Sequence, residues 1–214
     1  MPILGFSLAS LFNFPLEIAA GIILIGSSPS GLASNVMAYL AKANIALSVT
    51  LTAVATLVAP IMTPFLMKTL AGSFVPIDFL AMMTSIFKIV IVPVLLGLIF
   101  NYFFHGKAKW LDKAMPIISM AGIGFIIMII TAAGRDDLLS IGLLLILAAI
   151  IHNLLGYVFG YWGCRIFGMC EQDCRTIAFE VGMQNGGLAT GIALEMGKIS
   201  TVGLAPAIFG PWMN

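Results

Sequence analysis

The stretch Glu180-Val181-Gly182-Met183-Gln184-Asn185-Gly186-Gly187 interrupts an apolar run with a carboxylate, two amides and glycines. No other feature narrows the possible folds as much. Backbone buried in hydrocarbon must satisfy its polar groups within the protein. Non-helical backbone is tolerated there only where protein covers it or where it lines a cavity. An ionised carboxylate at that depth is costly, is normally paired, and marks an ion or substrate path. A charged side chain beside unwound backbone is how secondary transporters build a cation site.

Composition places this run in a membrane. Hydrophobic residues make up 61% of the 214 and charged residues 9%, with a mean hydropathy of +1.11. A soluble domain is about 25% charged. The expected fold class is an all-α polytopic membrane protein, because the runs are solidly apolar and lack β-barrel alternation. A net charge of +1 argues against a nucleic-acid partner. Cys164, Cys170 and Cys174 fall in one inter-helix stretch with no histidine nearby, so they are read as reduced thiols facing the cytosol rather than a zinc site.

A spanning helix needs about 20 apolar residues. Residues 1–12 are too short, and no basic segment precedes them to suggest a signal peptide. After Asn13-Phe14-Pro15 comes a half-length run, Leu16 to Ser27. The polar break Ser28-Pro29-Ser30-Gly31 follows, then a half-helix from Ala33 to Ala41. Full spans are expected at 45–70, 77–104, 114–133 and 138–163, then half-helices at 174–184 and 188–197. The segments Gly31 to Lys42 and Gly187 to Lys198 share Gly-Leu-Ala, a Ser/Thr and a final Lys. With four spans between them, the two copies run in opposite directions, which is an inverted-repeat pattern. Lys42, Lys107, Lys109, Lys113, Arg165 and Arg175 lie in one set of loops; Lys68, Arg135 and Lys198 lie in the other, with Asp136 and Asp137. The richer set is assigned to the cytoplasm.

Several polar residues cluster at these breaks. Ser34 and Asn35 open the second half of the first broken helix, where they could equally be an N-cap. Ser48 and Thr52 share a helix face, as packing residues or as ligands. With Glu180 they form an oxygen set suited to a hard cation such as sodium. At the second break the freed carbonyls of Val181 and Met183, with the Gln184 side chain, offer more oxygens. The next half-helix presents N–H groups and a positive dipole end to an anion, with Asn185 best placed to help hold one. Lys88 is read as a snorkelling lysine, and Pro60, Pro64 and Pro93 as kinks. The pair His152-Asn153 is read as an inter-helix hydrogen bond, with a proton relay as the sharper alternative.

On these residues, GSSPSGLASNVMAYLAKANIALSVTLTAV and FEVGMQNGGLATGIAL closely resemble the two crossover regions of the bile acid:sodium symporter family. The resemblance implies ten helices in two inverted five-helix repeats, with a core domain holding two broken, crossing helices and a smaller panel domain. Residues 1–76 and 137–214 would belong to the core and 77–136 to the panel. It implies sodium-coupled uptake of an organic anion, such as a bile acid, a pantothenate-like compound or a keto acid, at the plasma membrane of a bacterium. One sodium ion would use Ser34, Asn35, Ser48, Thr52 and Glu180. A second would use Glu180, Gln184 and the carbonyls of Val181 and Met183. Substrate would lie by Asn185, Gly187 and Leu32, with no organic cofactor. Many bacterial members read Gly-Gly-Thr-Ala before the Ser-Asn pair, whereas Ser30-Gly31-Leu32-Ala33 stands here, so Leu32 removes a hydroxyl near the expected substrate. The resemblance also implies that helices one and two, most of three and most of ten lie outside these residues, with a glutamine that completes the second sodium site. A non-transporting fragment is therefore one competing reading. An intramembrane enzyme using Glu180 is another, though no second carboxylate, metal cluster or activated nucleophile supports it.

Overall fold

The computed structural model describes residues 1–104 and 109–213, so Lys107, counted above for orientation, lies outside the described residues. Regular structure is helical throughout: α1 (Pro2–Leu11), α2 (Leu16–Ser27), α3 (Leu32–Leu40), α4 (Ile45–Leu70), α5 (Phe79–Phe104), α6 (Lys109–Ala133), α7 (Arg135–Ile166), α8 (Glu171–Gly182), α9 (Gly186–Glu195) and α10 (Leu204–Met213). The expected all-α membrane fold with two interrupted spans is what forms. Helices α4, α5 and α7 are each long and apolar enough to cross a bilayer. Helix α6 runs from Lys109 to Ala133 and takes in the expected span 114–133.

Several helices start earlier than the sequence suggested, α7 and α8 among them. Helix α7 begins at Arg135 rather than 138, and α8 at Glu171 rather than 174. Asp136 and Asp137 occupy the first turn of α7, and Glu171 and Asp173 that of α8. Carboxylates there face the positive end of the helix dipole, so residues that read as loop instead start helices. Pro60 and Pro64 stay inside α4, and Pro93 inside α5.

Helix α2 is the centre of the core. Every residue from Ile18 to Ser27 is buried, and α1, α4, α9 and α10 pack around it. An all-round apolar helix is stable only when enclosed in this way. Helices α4 and α5 instead expose large side chains on an outer face, among them Leu57, Ile61, Leu96 and Ile99. Lys88 lies exposed on α5.

The two broken helices are tied together at both ends. Glu17, at the start of α2, forms an ion pair with Lys198, just past α9. Asp173, at the start of α8, accepts a 2.8 Å hydrogen bond from Asn44 Nδ2, just past α3. Glu17 and Asp173 stand at matching positions of the two sequence copies, each the same distance before Gly-Leu-Ala. The ends match as well. Ala43 N–H donates to Ala38 O at 2.9 Å, and Lys198 N–H to Ala193 O at 3.0 Å, so α3 and α9 close in the same way. Lys42 and Gly197 supply the left-handed residues there, at φ +52° and +66°. Arg175 also donates to Ala41 O at 3.3 Å, so it shares an end of the bundle with Lys42, the end assigned to the cytoplasm.

Helix α7 reaches α8 through glycines. A Cβ at Gly160 would stand 2.7 Å from Ile177 O and 2.8 Å from Ala178 Cα. Small residues let membrane helices approach this closely. Gly160→Leu is expected to push α7 off α8 and destabilise the fold by about 1–3 kcal/mol, the usual cost of overpacking. Thermal unfolding in detergent measures this; an unchanged melting temperature would show that the close approach is dispensable. Next to this seam, Asn153 Nδ2 donates to Gly182 O at 3.0 Å, the inter-helix hydrogen bond expected there. His152 departs from that expectation, meeting Phe209 of α10 edge-on at 5.5 Å. Its ring also lies beside the Met1 backbone.

Candidate functional site

Both breaks leave backbone groups without intrahelical partners, and the breaks satisfy each other. Asn185 N–H donates to Pro29 O at 2.7 Å, and Gly31 N–H donates to Met183 O at 3.2 Å. Ser30 and Gln184 face each other in an isolated antiparallel bridge. Pro29 ends α2 because it has no N–H to continue the ladder. Ser28 is spent locally, its hydroxyl donating back to Leu24 O at 2.9 Å. The result is a short piece of sheet-like pairing where two half-helix pairs cross.

Glu180 lies on the last turn of α8, aimed at this crossing. Ser34 Oγ lies 2.7 Å and Ser48 Oγ 2.6 Å from its Oε1. Ser30 Oγ lies 2.6 Å and Thr52 Oγ1 2.9 Å from its Oε2. The Asn35 amide oxygen joins the group, 2.8 Å from Ser48 Oγ and 3.3 Å from Thr52 Oγ1. Ser34 and Ser48 are fully buried. Among the described residues, no lysine or arginine forms an ion pair with Glu180. The structure thus brings Ser34, Asn35, Ser48, Thr52 and Glu180, from α3, α4 and α8, into one cluster.

The cluster has more acceptors than protons. A hydroxyl has one proton to give and two lone pairs. Ser48 Oγ lies close to both Asn35 Oδ1 and Glu180 Oε1, and Thr52 Oγ1 to both Asn35 Oδ1 and Glu180 Oε2. Ser34 Oγ lies 2.7 Å from Gly31 O as well as from Glu180, and Ser30 Oγ lies 3.4 Å from Thr52 Oγ1. Each hydroxyl can donate along only one of its approaches, so others set oxygen against oxygen. Protonating Glu180 would supply one proton more, not enough to cover the rest. Such a group of oxygens is satisfied by a hard cation, which neutral and anionic oxygens coordinate together.

The second proposed set is arranged differently. Gln184 is buried, its Nε2 donates to Val181 O, and its Oε1 has no hydrogen-bond partner among the described residues. Glu180, Val181 and Gln184 line a cavity of about 310 Å³ with Ser27, Ser30, Thr63 and the α4 residues Ala55 and Val58. Met183 is not among its walls, since its carbonyl faces Gly31 across the break.

The three residues expected at an anion site separate. Gly187 lines a cavity of about 440 Å³ between α6, α9 and α10, walled by Ile123, Ile127, Gly186, Thr190 and Pro206 among others. Neither Asn185 nor Leu32 lines it. Asn185 caps α9: its Oδ1 accepts from Leu188 N–H at 2.9 Å, leaving the Nδ2 group for other partners. Leu32, at the first turn of α3, is 78% exposed. Sequence reasoning missed Ser30 as a neighbour of the carboxylate, and also Ser27, whose buried hydroxyl has no partner among the described residues. The available signal was the density of serines in the first break.

Comparisons with known proteins converge on one kind of protein. The family model described as "Sodium Bile acid symporter family" matches residues 1–141. The chain is 40% identical over its whole length to "Uncharacterized sodium-dependent transporter YocS" of Bacillus subtilis (strain 168), spanning 66% of that protein. It is 36% identical, over 91% of its length, to "Probable sodium/metabolite cotransporter BASS1, chloroplastic" of Arabidopsis thaliana, spanning 49% of it. Against "Probable sodium/metabolite cotransporter BASS3, chloroplastic" of the same plant, identity is 34% over 88% of the chain and 44% of the relative. The chain thus spans between about two fifths and two thirds of the length of these relatives.

Proposed function

The chain belongs to the sodium bile acid symporter family, and from that premise we propose that it serves sodium-coupled symport of an organic anion across a membrane by alternating access. The observation that carries this reading is the proton-poor oxygen cluster around Glu180 at the crossing of the two breaks. One sodium ion takes Ser34, Asn35, Ser48, Thr52 and Glu180 as ligands. A second takes Glu180, Gln184 and the carbonyls of Val181 and Met183. One carboxylate with neutral oxygens offsets a cation's charge while leaving it free to dissociate. The sodium-dependent relatives support the coupling ion.

The anion site follows from the same crossing. The 440 Å³ cavity lies within the size range of small-molecule sites, about 300–1,000 Å³. Its walls are largely apolar, and Gly186 and Gly187 bring the N-terminal end of α9 to it. An organic acid with an apolar body suits this lining, its charged end toward the helix N-terminus. Asn185 Nδ2 helps to hold that end as the substrate enters. Residues 77–136 act as a panel that moves against the remainder, because α6 forms one wall of the cavity and α9 and α10 form the other. Coupling is then a linkage effect: each ligand favours the conformation that the other also binds better.

The direct test is uptake of radiolabelled organic acids into proteoliposomes under an imposed sodium gradient, with the acid recovered unchanged. Chemical conversion of the acid, or uptake indifferent to sodium, would overturn the reading. Within it, Ser48→Ala and Thr52→Ala are each expected to raise the half-saturating sodium concentration roughly three- to tenfold before lowering the maximal rate. A neutral hydrogen-bonding oxygen is worth about 0.5–1.5 kcal/mol. If these changes alter expression but leave the sodium requirement unchanged, the two hydroxyls only pack the helices.

A further inference from the structure

We propose that Ser30 is a cation ligand shared between the two ion positions, so that the first break contributes a side chain to both; this rests on the reading of Glu180 as the sodium carboxylate. Two faces of the carboxylate can be told apart. Oε1 meets Ser34 and Ser48, while Oε2 meets Ser30 at 2.6 Å and Thr52 at 2.9 Å. Of these four hydroxyl residues, Ser30 alone also lines the 310 Å³ cavity beside Glu180, Val181 and Gln184. It therefore stands between the hydroxyl cluster and the cavity, with the carboxylate reaching both.

The cavity wall carries an independent sign of a ligand. Ser27 Oγ and Gln184 Oε1 are both buried there without a hydrogen-bond partner among the described residues. A buried acceptor left unmatched costs about 1–3 kcal/mol, and two on one cavity are explained by something that binds between them. Oxygen is all they offer, and the Glu180 carboxylate lines the same cavity together with Met1, so the ligand that fits is a hard monovalent cation. An ion placed there finds Gln184 Oε1, Ser27 Oγ, Glu180 and Ser30 Oγ on its side of the crossing. Ser30 has the lone pairs for this role, because a hydroxyl that donates one proton keeps two acceptor positions.

The backbone holds Ser30 in place. Its residue bridges Gln184, and the neighbouring bonds Asn185 N–H to Pro29 O at 2.7 Å and Gly31 N–H to Met183 O at 3.2 Å fix both flanks. A ligand shared in this way makes the two ions dependent on each other: the first orients the hydroxyl and carboxylate that the second also uses. Ser34, Ser48 and Thr52, on α3 and α4, do not line the cavity, whereas Ser30 lies in the break itself and does. Its loss therefore removes a ligand from each ion position.

The test is sodium-dependent thermal stabilisation of the purified protein in detergent, titrating sodium chloride against choline chloride at constant ionic strength. Ser30→Ala is expected to need about tenfold more sodium for the same rise in melting temperature, as for a lost hydrogen bond to a charged group. Ser30→Cys keeps the size of the side chain but offers soft sulfur, which suits sodium poorly. It should show the same shift, and it decides the matter if the alanine variant does not fold. A folded variant that melts lower in choline yet keeps the sodium titration of the unsubstituted protein would overturn the assignment, since Ser30 would then only support the break. Ser48→Ala run in parallel separates two failures. If it shifts the titration while the Ser30 variants do not, Ser30 alone is wrongly assigned. If none of the variants shifts it, the carboxylate is not the sodium site, and the Ser30 proposal falls with that reading.

Discussion

Glu180→Gln or Glu180→Ala is expected to abolish sodium-driven uptake and sodium-dependent stabilisation together. Glu180 is the carboxylate at the crossing of the two breaks, and among the described residues it has no basic partner there. Both proposed ion positions use it, so its loss would leave a buried sodium ion facing only neutral oxygens. Removing one partner of a buried charge pair costs about 3–5 kcal/mol, or roughly two to three and a half orders of magnitude in affinity. Sodium concentrations that saturate the unsubstituted protein would then leave the variants essentially empty. The glutamine variant is the sharper of the two, because it keeps the shape of the side chain and one acceptor oxygen, for either Ser34 and Ser48 or Ser30 and Thr52. It also adds two amide protons to a cluster that lacked donors, so it should fold at least as well without sodium. Uptake and melting temperature measured across a sodium series decide the point. A glutamine variant with near-normal sodium dependence would show that the carboxylate's charge is not what binds the ion.

The positions of the two breaks were legible in the sequence because their causes are local. Pro29 removes a donor, Gly31 and Gly186-Gly187 loosen the backbone, and Gln184-Asn185 set polar side chains in an apolar run. Helices α2, α3, α8 and α9 accordingly lie close to where the pattern put them. Ser48 and Thr52 were legible for a related reason, since helical spacing puts them on one face. Ser30 was not, because a residue outside a helix has no period from which its direction can be read. Its position depends on the pairing of Pro29, Ser30 and Gly31 with residues about 150 positions later, a contact that no local pattern encodes. The starts of α7 and α8 were misplaced because aspartates and a glutamate signal loop by polarity and helix start by charge. The pairing of Glu17 with Lys198 was out of reach of the local pattern too, although both residues stand at repeat-related places in the chain.

Asn185 is where local structure and the proposed chemistry compete, and one substitution separates them. Its Oδ1 caps α9 through Leu188 N–H, so Asn185→Ala would remove both the cap, worth about 1 kcal/mol, and the amide proposed to meet the anion. Asn185→Asp removes only the second. Aspartate is as good an N-cap as asparagine, and its charge is favourable at a helix N-terminus, so α9 and its bonds to the first break should persist. An organic anion approaching that end would instead meet a like charge and lose the Nδ2 donor. In a site of effective dielectric about 20, two like charges 4 Å apart repel by about 4 kcal/mol. Even half of that would weaken substrate binding by more than about tenfold. Sodium binding without substrate should be retained, and a second carboxylate near Gln184 could only favour the cation. The measurement pairs substrate affinity at saturating sodium with sodium-dependent melting in the absence of substrate. Loss of both would show that Asn185 acts through the crossing itself. Retention of both would confine it to capping α9 and move the anion site elsewhere along the α6–α9 cavity.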